Sequence, residues 1–210
     1  MHCAPTGNRL DNHMNQRHRR SIRLKDYDYT QHGAYFVTIC AHERRRVFGN
    51  IVAGDMVLNA WGRVVQSCWD KIPAHFPMVE LDAFVVMPNH VHGIIVIVDI
   101  GVRATHGSPV HGAPVHGAIG HRAPVHGSPV LTHPTQPNGP KPNSLGAIIG
   151  QFKSAVTRRI NRLSGAPGHP VWQRNYYEHI VRSEESLNAI RAYIADNPAK
   201  WAQDTLFTEP

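Results

Sequence analysis

Cysteine is scarce in this chain. Its 210 residues hold three, Cys3, Cys40 and Cys68, an odd number without metal-ligand spacing. Neither a disulfide framework nor a zinc knuckle is indicated, and a reducing compartment fits best. Long apolar runs are also missing: the longest, Gly93 to Val98, stops at Asp99, well short of the roughly 20 residues that span a bilayer. The N-terminus has no apolar stretch of signal-peptide length, so the expectation is a soluble, cytoplasmic protein with no membrane partner. Acids are in the minority, 15 against 22 lysines and arginines. The resulting formal charge of +7 favours a polyanionic partner such as nucleic acid over an acidic small molecule.

What is present suffices for one core. Hydrophobic residues make up 41% and charged residues 18%, the composition of an ordinary globular domain with appendages. Residues 1–25 are polar and basic and show no apolar period, so they read as a flexible arm carrying Arg17, Arg19 and Arg20 toward phosphates. Tyr35 to Ala41 is β-branched and aromatic and reads as the first strand. Apolar residues at helical spacing predict a helix between Met56 and Ile72, ended by Pro73 and Pro77. Val79 to Met87 and His90 to Val98 are strands separated by the Pro88-Asn89 turn.

The composition then breaks. Residues 106–130 hold an imperfect His-Gly-Ser-Pro-Val-type pentapeptide repeated five times, and a Pro/Asn/Gly-rich tail follows to Pro142. Nothing in it can bury a core, so 103–142 is expected to be a disordered insert within a single domain spanning 26–202, with 203–210 as a C-terminal tail. Ser144 resumes order as an N-cap, and Leu145, Ile148, Ile149, Phe152, Ala155, Val156 and Ile160 give a helix its apolar face. Lys153, Arg158, Arg159 and Arg162 lie opposite, a cationic face suited to phosphates. Val171 to Arg182 holds an approach segment and a fourth strand. Ser183 caps a last helix, which ends near Pro198.

The chemistry concentrates in two places. His90 and His92, two apart on a strand, project from the same face and make half a metal site. Tyr193 and Asn197, four apart on a helix, stand one turn from each other. If that helix lies over the histidines, two imidazole nitrogens and an amide oxygen can hold a divalent cation, and the phenol of Tyr193 can attack a phosphodiester. A tyrosine nucleophile conserves the broken bond as phosphotyrosine, so the expected output is strand transfer rather than hydrolysis.

Several motifs then agree with one known family. Met87-Pro-Asn-His-Val-His92, the helix Leu145-Gly-Ala-Ile-Ile-Gly-Gln-Phe-Lys-Ser-Ala-Val156, Val171-Trp-Gln-Arg174, Tyr177-Glu-His-Ile180 and Ile190-Arg-Ala-Tyr-Ile-Ala-Asp-Asn-Pro198 together resemble the REP-associated tyrosine transposases, relatives of single-tyrosine HUH transposases. The resemblance implies an α+β fold, a ferredoxin-like or RRM-like antiparallel sheet with helices on one face. It implies a Mg²⁺- or Mn²⁺-dependent single-strand DNA endonuclease and strand transferase, with His90, His92 and Asn197 on the metal and Tyr193 as nucleophile. The implied partner is single-stranded DNA with palindromic repeats folded as hairpins; the sequence leaves open whether the protein is a monomer or a homodimer. Arg17, Arg19, Arg20, Lys153, Arg158, Arg174 and Tyr176 are the candidate DNA contacts.

Three rivals stand beside this reading. A replication initiator or relaxase of the HUH type would need partner domains for which 210 residues leave little space. A domesticated hairpin-binding protein would keep the fold without the chemistry. An RRM-like RNA binder would carry aromatic motifs on its central strands, where this chain has His-Val-His.

Overall fold

The structure, a computed structural model, describes Leu24, residues 27–99 and residues 139–207. The basic arm with Arg17, Arg19 and Arg20 and most of the 103–142 insert lie outside the described residues.

The elements run β1 (Gly33–Cys40), β2 (Gly49–Val52), β3 (Asp55–Leu58), α1 (Ala60–Trp69), α2 (Ile72–His75), β4 (Val79–Val86), β5 (His90–Ile97), α3 (Leu145–Ser164), β6 (Tyr177–Val181) and α4 (Glu184–Asp196), with 3-10 turns at His42–Arg44 and Trp201–Gln203. Four strands form one antiparallel sheet in the order β4-β5-β1-β6. Leaving aside the β2-β3 hairpin, this is the β-α-β-β-α-β arrangement of a ferredoxin-like α+β fold, as expected.

β5 is buried almost throughout, and its side chains divide between two faces of the sheet. Val91, Ile95 and Ile97 join the larger core with Val65 and Trp69 of α1 and Ile148, Ile149, Phe152, Val156 and Ile160 of α3. Ile94 joins Phe36 and Ile194 of α4 in a second, smaller cluster. Helices therefore cover both faces rather than one: α1 and α3 pack on the first, and α4 on the second together with His90 and His92. On the first face the α1 layer closes on the sheet at Gly93, where a Cβ would come 2.4 Å from the Trp69 ring and 2.9 Å from Phe84. Those two rings stack at 4.2 Å, so glycine is what lets α1 approach the sheet this closely.

Two local expectations are corrected. Met56 and Val57 belong to strand β3, and the helix begins only at Ala60. A tight turn with positive φ at Ala53 and Gly54 pairs β2 with β3, and the Asn59 side chain accepts from Gly62 N–H as the N-cap. Apolar spacing continued across that cap and concealed it. Pro73 does not end a helix but sits in the first turn of α2, where its missing N–H costs nothing. The caps Ser144 and Ser183 are as expected, their hydroxyls accepting from Ala147 N–H and Ser186 N–H. Among the described residues no helix is long and apolar enough to cross a membrane.

Candidate active site

β5 delivers His90 and His92 onto the α4 face, and both are buried. Their Nε2 atoms lie 2.9 Å apart. Each ring is held at its other nitrogen, His90 Nδ1 by Asn89 Oδ1 at 2.7 Å and His92 Nδ1 by Thr38 Oγ1 at 2.8 Å. The Asn89 amide is oriented unambiguously, since its Nδ2 donates to the carbonyls of Arg44 at 3.1 Å and Leu206 at 2.8 Å. Its Oδ1 can only accept. His90 therefore carries its proton on Nδ1 and aims a lone pair from Nε2 into the site. Burial pushes His90 down to about 2, helped by His92 and Arg44, and pushes His92 down to about 4. Both rings are neutral at neutral pH, the form that ligates metals.

The site is completed from residues far along the chain. Tyr193 reaches in from α4 with its hydroxyl 3.3 Å from His92 Nε2, across 101 positions of sequence. Asp204, after the 3-10 turn, places Oδ2 3.6 Å from His90 Nε2 with its side chain only 3% exposed. His90, His92 and Asp204 can each present a ligand atom with all three within 4.8 Å of one another. A lone pair facing a carboxylate oxygen is repulsive unless a cation lies between them. Asn197 is 4% exposed and its Oδ1 has no hydrogen-bond partner, as does Asp204 Oδ2. Two imidazole nitrogens and the orphaned Asp204 carboxylate oxygen form a group that could hold a divalent ion.

α4 is held in place by a pair on its neighbouring strand. The register of β4 on β5 shifts between Leu81 and Phe84, and Arg191 of α4 binds Asp82 in this irregular stretch through both guanidinium and carboxylate edges, at 2.9 and 2.6 Å. Phe36 stacks on His92 and meets Tyr193 edge-on. The Tyr193 phenol is raised by burial and by nearby Asp204, while its hydrogen bond with the Asn197 side chain pulls it the other way. A cavity of about 460 Å³ opens beside it, and Tyr176 is among its walls.

The candidate phosphate contacts fall on a separate surface. Lys153, Arg158 and Arg174 line one shallow groove, in which Arg158 and Arg174 are exposed. Lys153 is committed to the fold: its ammonium donates to the carbonyls of Gln173 at 2.5 Å and Arg174 at 3.0 Å, and burial lowers it to about 8. Gln173 borders both this groove and the cavity of Tyr193.

Sequence reasoning missed Asn89 and Asp204. Asn89 was legible in principle, sitting next to His90 in a polar break between apolar strands. Asp204 follows the last helix and belongs to no periodic pattern, so nothing local marks it.

An uncharacterised protein of Haemophilus influenzae is 40% identical over 192 residues, covering 91% of this chain and 94% of its own. The chain belongs to the family of that protein. No protein-family model matches it. Among solved structures, a REP-associated tyrosine transposase bound to a REP hairpin superposes with a TM-score of 0.51 at 15% identity, over 87% of this chain and 75% of its own. The chain therefore has the fold of that transposase.

Proposed function

We propose that this protein is a divalent-metal-dependent single-strand DNA endonuclease and strand transferase that acts at palindromic, REP-like hairpin repeats through a 5′-phosphotyrosine on Tyr193. The observation that carries the reading is the meeting of the Tyr193 hydroxyl with His92 Nε2 at 3.3 Å from elements 101 residues apart. Structural packing does not require a half-exposed phenol to end on a buried imidazole pair. The solved structure with this fold is itself bound to a hairpin, which supports DNA as the partner.

His90, His92 and Asn197, with Asp204 as a further ligand, would hold Mg²⁺ or Mn²⁺, which when bound would supply Lewis-acid stabilisation of charge on the phosphate. The chain's own groups do the rest. Asn89 and Thr38 keep the imidazoles in the ligating orientation. The Arg191–Asp82 pair fixes α4, and with it Tyr193. Tyr193 Oη bonds to phosphorus and gives its proton to water at its exposed edge. The P–O3′ bond breaks, and the sugar oxygen takes a proton and leaves as a 3′-hydroxyl. A second 3′-hydroxyl can reverse these steps and join a new strand without an external energy source. Arg158 and Arg174 line a groove suited to the phosphates of a hairpin stem.

The test incubates the protein with a labelled single-stranded palindrome and its flanks plus Mn²⁺ or Mg²⁺. A covalent protein–DNA adduct that disappears in Tyr193→Phe is expected. Hairpin binding without adduct across several palindromes would replace this reading with that of a hairpin-binding protein.

A further inference from the structure

The cavity beside Tyr193, at about 460 Å³, is larger than a phosphate needs. Besides Tyr193 it is walled by the rings of Phe36, Tyr176 and Tyr177, and the one charged side chain among its lining residues is Arg44. Tyr177 opens β6 opposite Thr38 of β1 and is 47% exposed. Its ring meets Phe36 edge-on at 6.3 Å, and Phe36 meets Tyr193 edge-on at 6.1 Å, so Tyr177 stands one ring away from the nucleophile. A half-exposed aromatic face in a concave wall leaves apolar surface wet, and a flat ring would cover it.

The polar part of the wall fits the remainder of a nucleotide. Gln173 and Asn175 offer neutral amides, which both donate and accept, as base edges require. Arg44 follows Glu43, and both have φ of 55°, a left-handed conformation uncommon for side-chain-bearing residues. The Arg44 carbonyl is held there by Asn89 Nδ2, from the same amide whose oxygen orients His90. One side chain thus registers this cation against the imidazole pair. Strained backbone kept in this way is a feature of functional sites.

We propose that the cavity is a nucleotide subsite, in which Tyr177 stacks on the unpaired base next to the phosphate attacked by Tyr193 and Arg44 faces that nucleotide's own phosphate. The subsite rests on the strand-transfer reading for its neighbour, but its occupancy can be measured without any chemistry.

The probe is an oligothymidylate strand carrying one 2-aminopurine, titrated into the full-length protein while fluorescence is followed. Wild type should quench the probe by stacking. Tyr177→Phe should keep the quench, whereas Tyr177→Leu, which preserves an apolar side chain but removes the π-face, should lose it and bind about ten- to a hundredfold more weakly. Thermal melting of all three proteins separates this effect from misfolding. An unquenched wild-type signal, or equal quenching by wild type and a folded Tyr177→Leu, overturns the subsite. Adduct formation is scored separately on a palindrome with the flanking base present or abasic. Tyr177-dependent quenching without adduct removes strand transfer and keeps the subsite, and adduct with Tyr177-independent quenching does the reverse.

Discussion

Arg191 grips Asp82 with two hydrogen bonds, Nε to Oδ1 at 2.9 Å and Nη2 to Oδ2 at 2.6 Å, two positions before Tyr193 on the same helix. The pair ties α4 to β4, and so sets where the phenol points. Arg191→Ala should leave the protein folded and slow adduct formation by roughly ten- to a hundredfold, the usual consequence of small misplacements at a reacting centre. Single-turnover cleavage with bound hairpin checks this.

The same pair makes a pH prediction. The Arg191 hydrogen bond holds Asp82 below its ordinary value of 3.8. Its contribution is therefore fully present above pH 3.8 and is lost as pH falls through the lowered folded-state value. The Tm difference between wild type and Asp82→Asn should be small and constant near neutrality, then vanish in acid. Melting curves across that range measure it, and a difference that grew on acidification would contradict the assignment.

Asn89→Ala removes one acceptor from His90 and two donors from the Arg44 and Leu206 carbonyls. Of these only the His90 bond is fully buried, and leaving that ring nitrogen unpaired costs about 1–3 kcal/mol. Loss of the imidazole's outer partner should weaken Mn²⁺ binding by roughly ten- to a hundredfold. Urea denaturation and titration calorimetry give the two numbers independently.

On the proposed reading, metal binding separates the ligands from the nucleophile. Mn²⁺ at a hundred times its Kd should stabilise wild type by about 2.7 kcal/mol. Tyr193→Phe should keep that gain and lose the adduct, His90→Ala or His92→Ala should lose both, and Asp204→Asn should reduce the gain. Differential scanning calorimetry with and without Mn²⁺, together with gel detection of adduct, distinguishes the classes.

Gly93→Ala tests the contact between the layers. The added Cβ would meet the rigid Trp69 ring at 2.4 and 2.6 Å, with Phe84 stacked behind it. Overpacking of this kind typically costs about 1–3 kcal/mol, read as a lowered urea midpoint.

The parts of this fold that follow a local period were legible in the sequence. His90 and His92 share a face because a strand has period two, and the α3 core residues are buried because a helix has period 3.6. The β2-β3 hairpin was hidden because Met56 and Val57 fitted a helical spacing until the Asn59 cap interrupted it. Asp204 was illegible for a different reason. Its place beside His90 depends on how residues 197–207 turn back over the sheet, a matter of tertiary packing in which Trp201 lies 5.9 Å from the His90 ring. Asn89 reads from sequence as a turn residue, and only the surrounding carbonyls reveal its second task.

The long reach from β5 to Tyr193 and Asp204 also orders events during synthesis. The sheet partners β1, β4 and β5 and the helices α1 and α3 all precede position 165, whereas the phenol and the carboxylate come after it. A nascent chain that has folded its larger core still lacks both. A reading-frame interruption anywhere between β6 and α4 would leave the imidazole pair and the basic α3 groove encoded but remove both Tyr193 and Asp204.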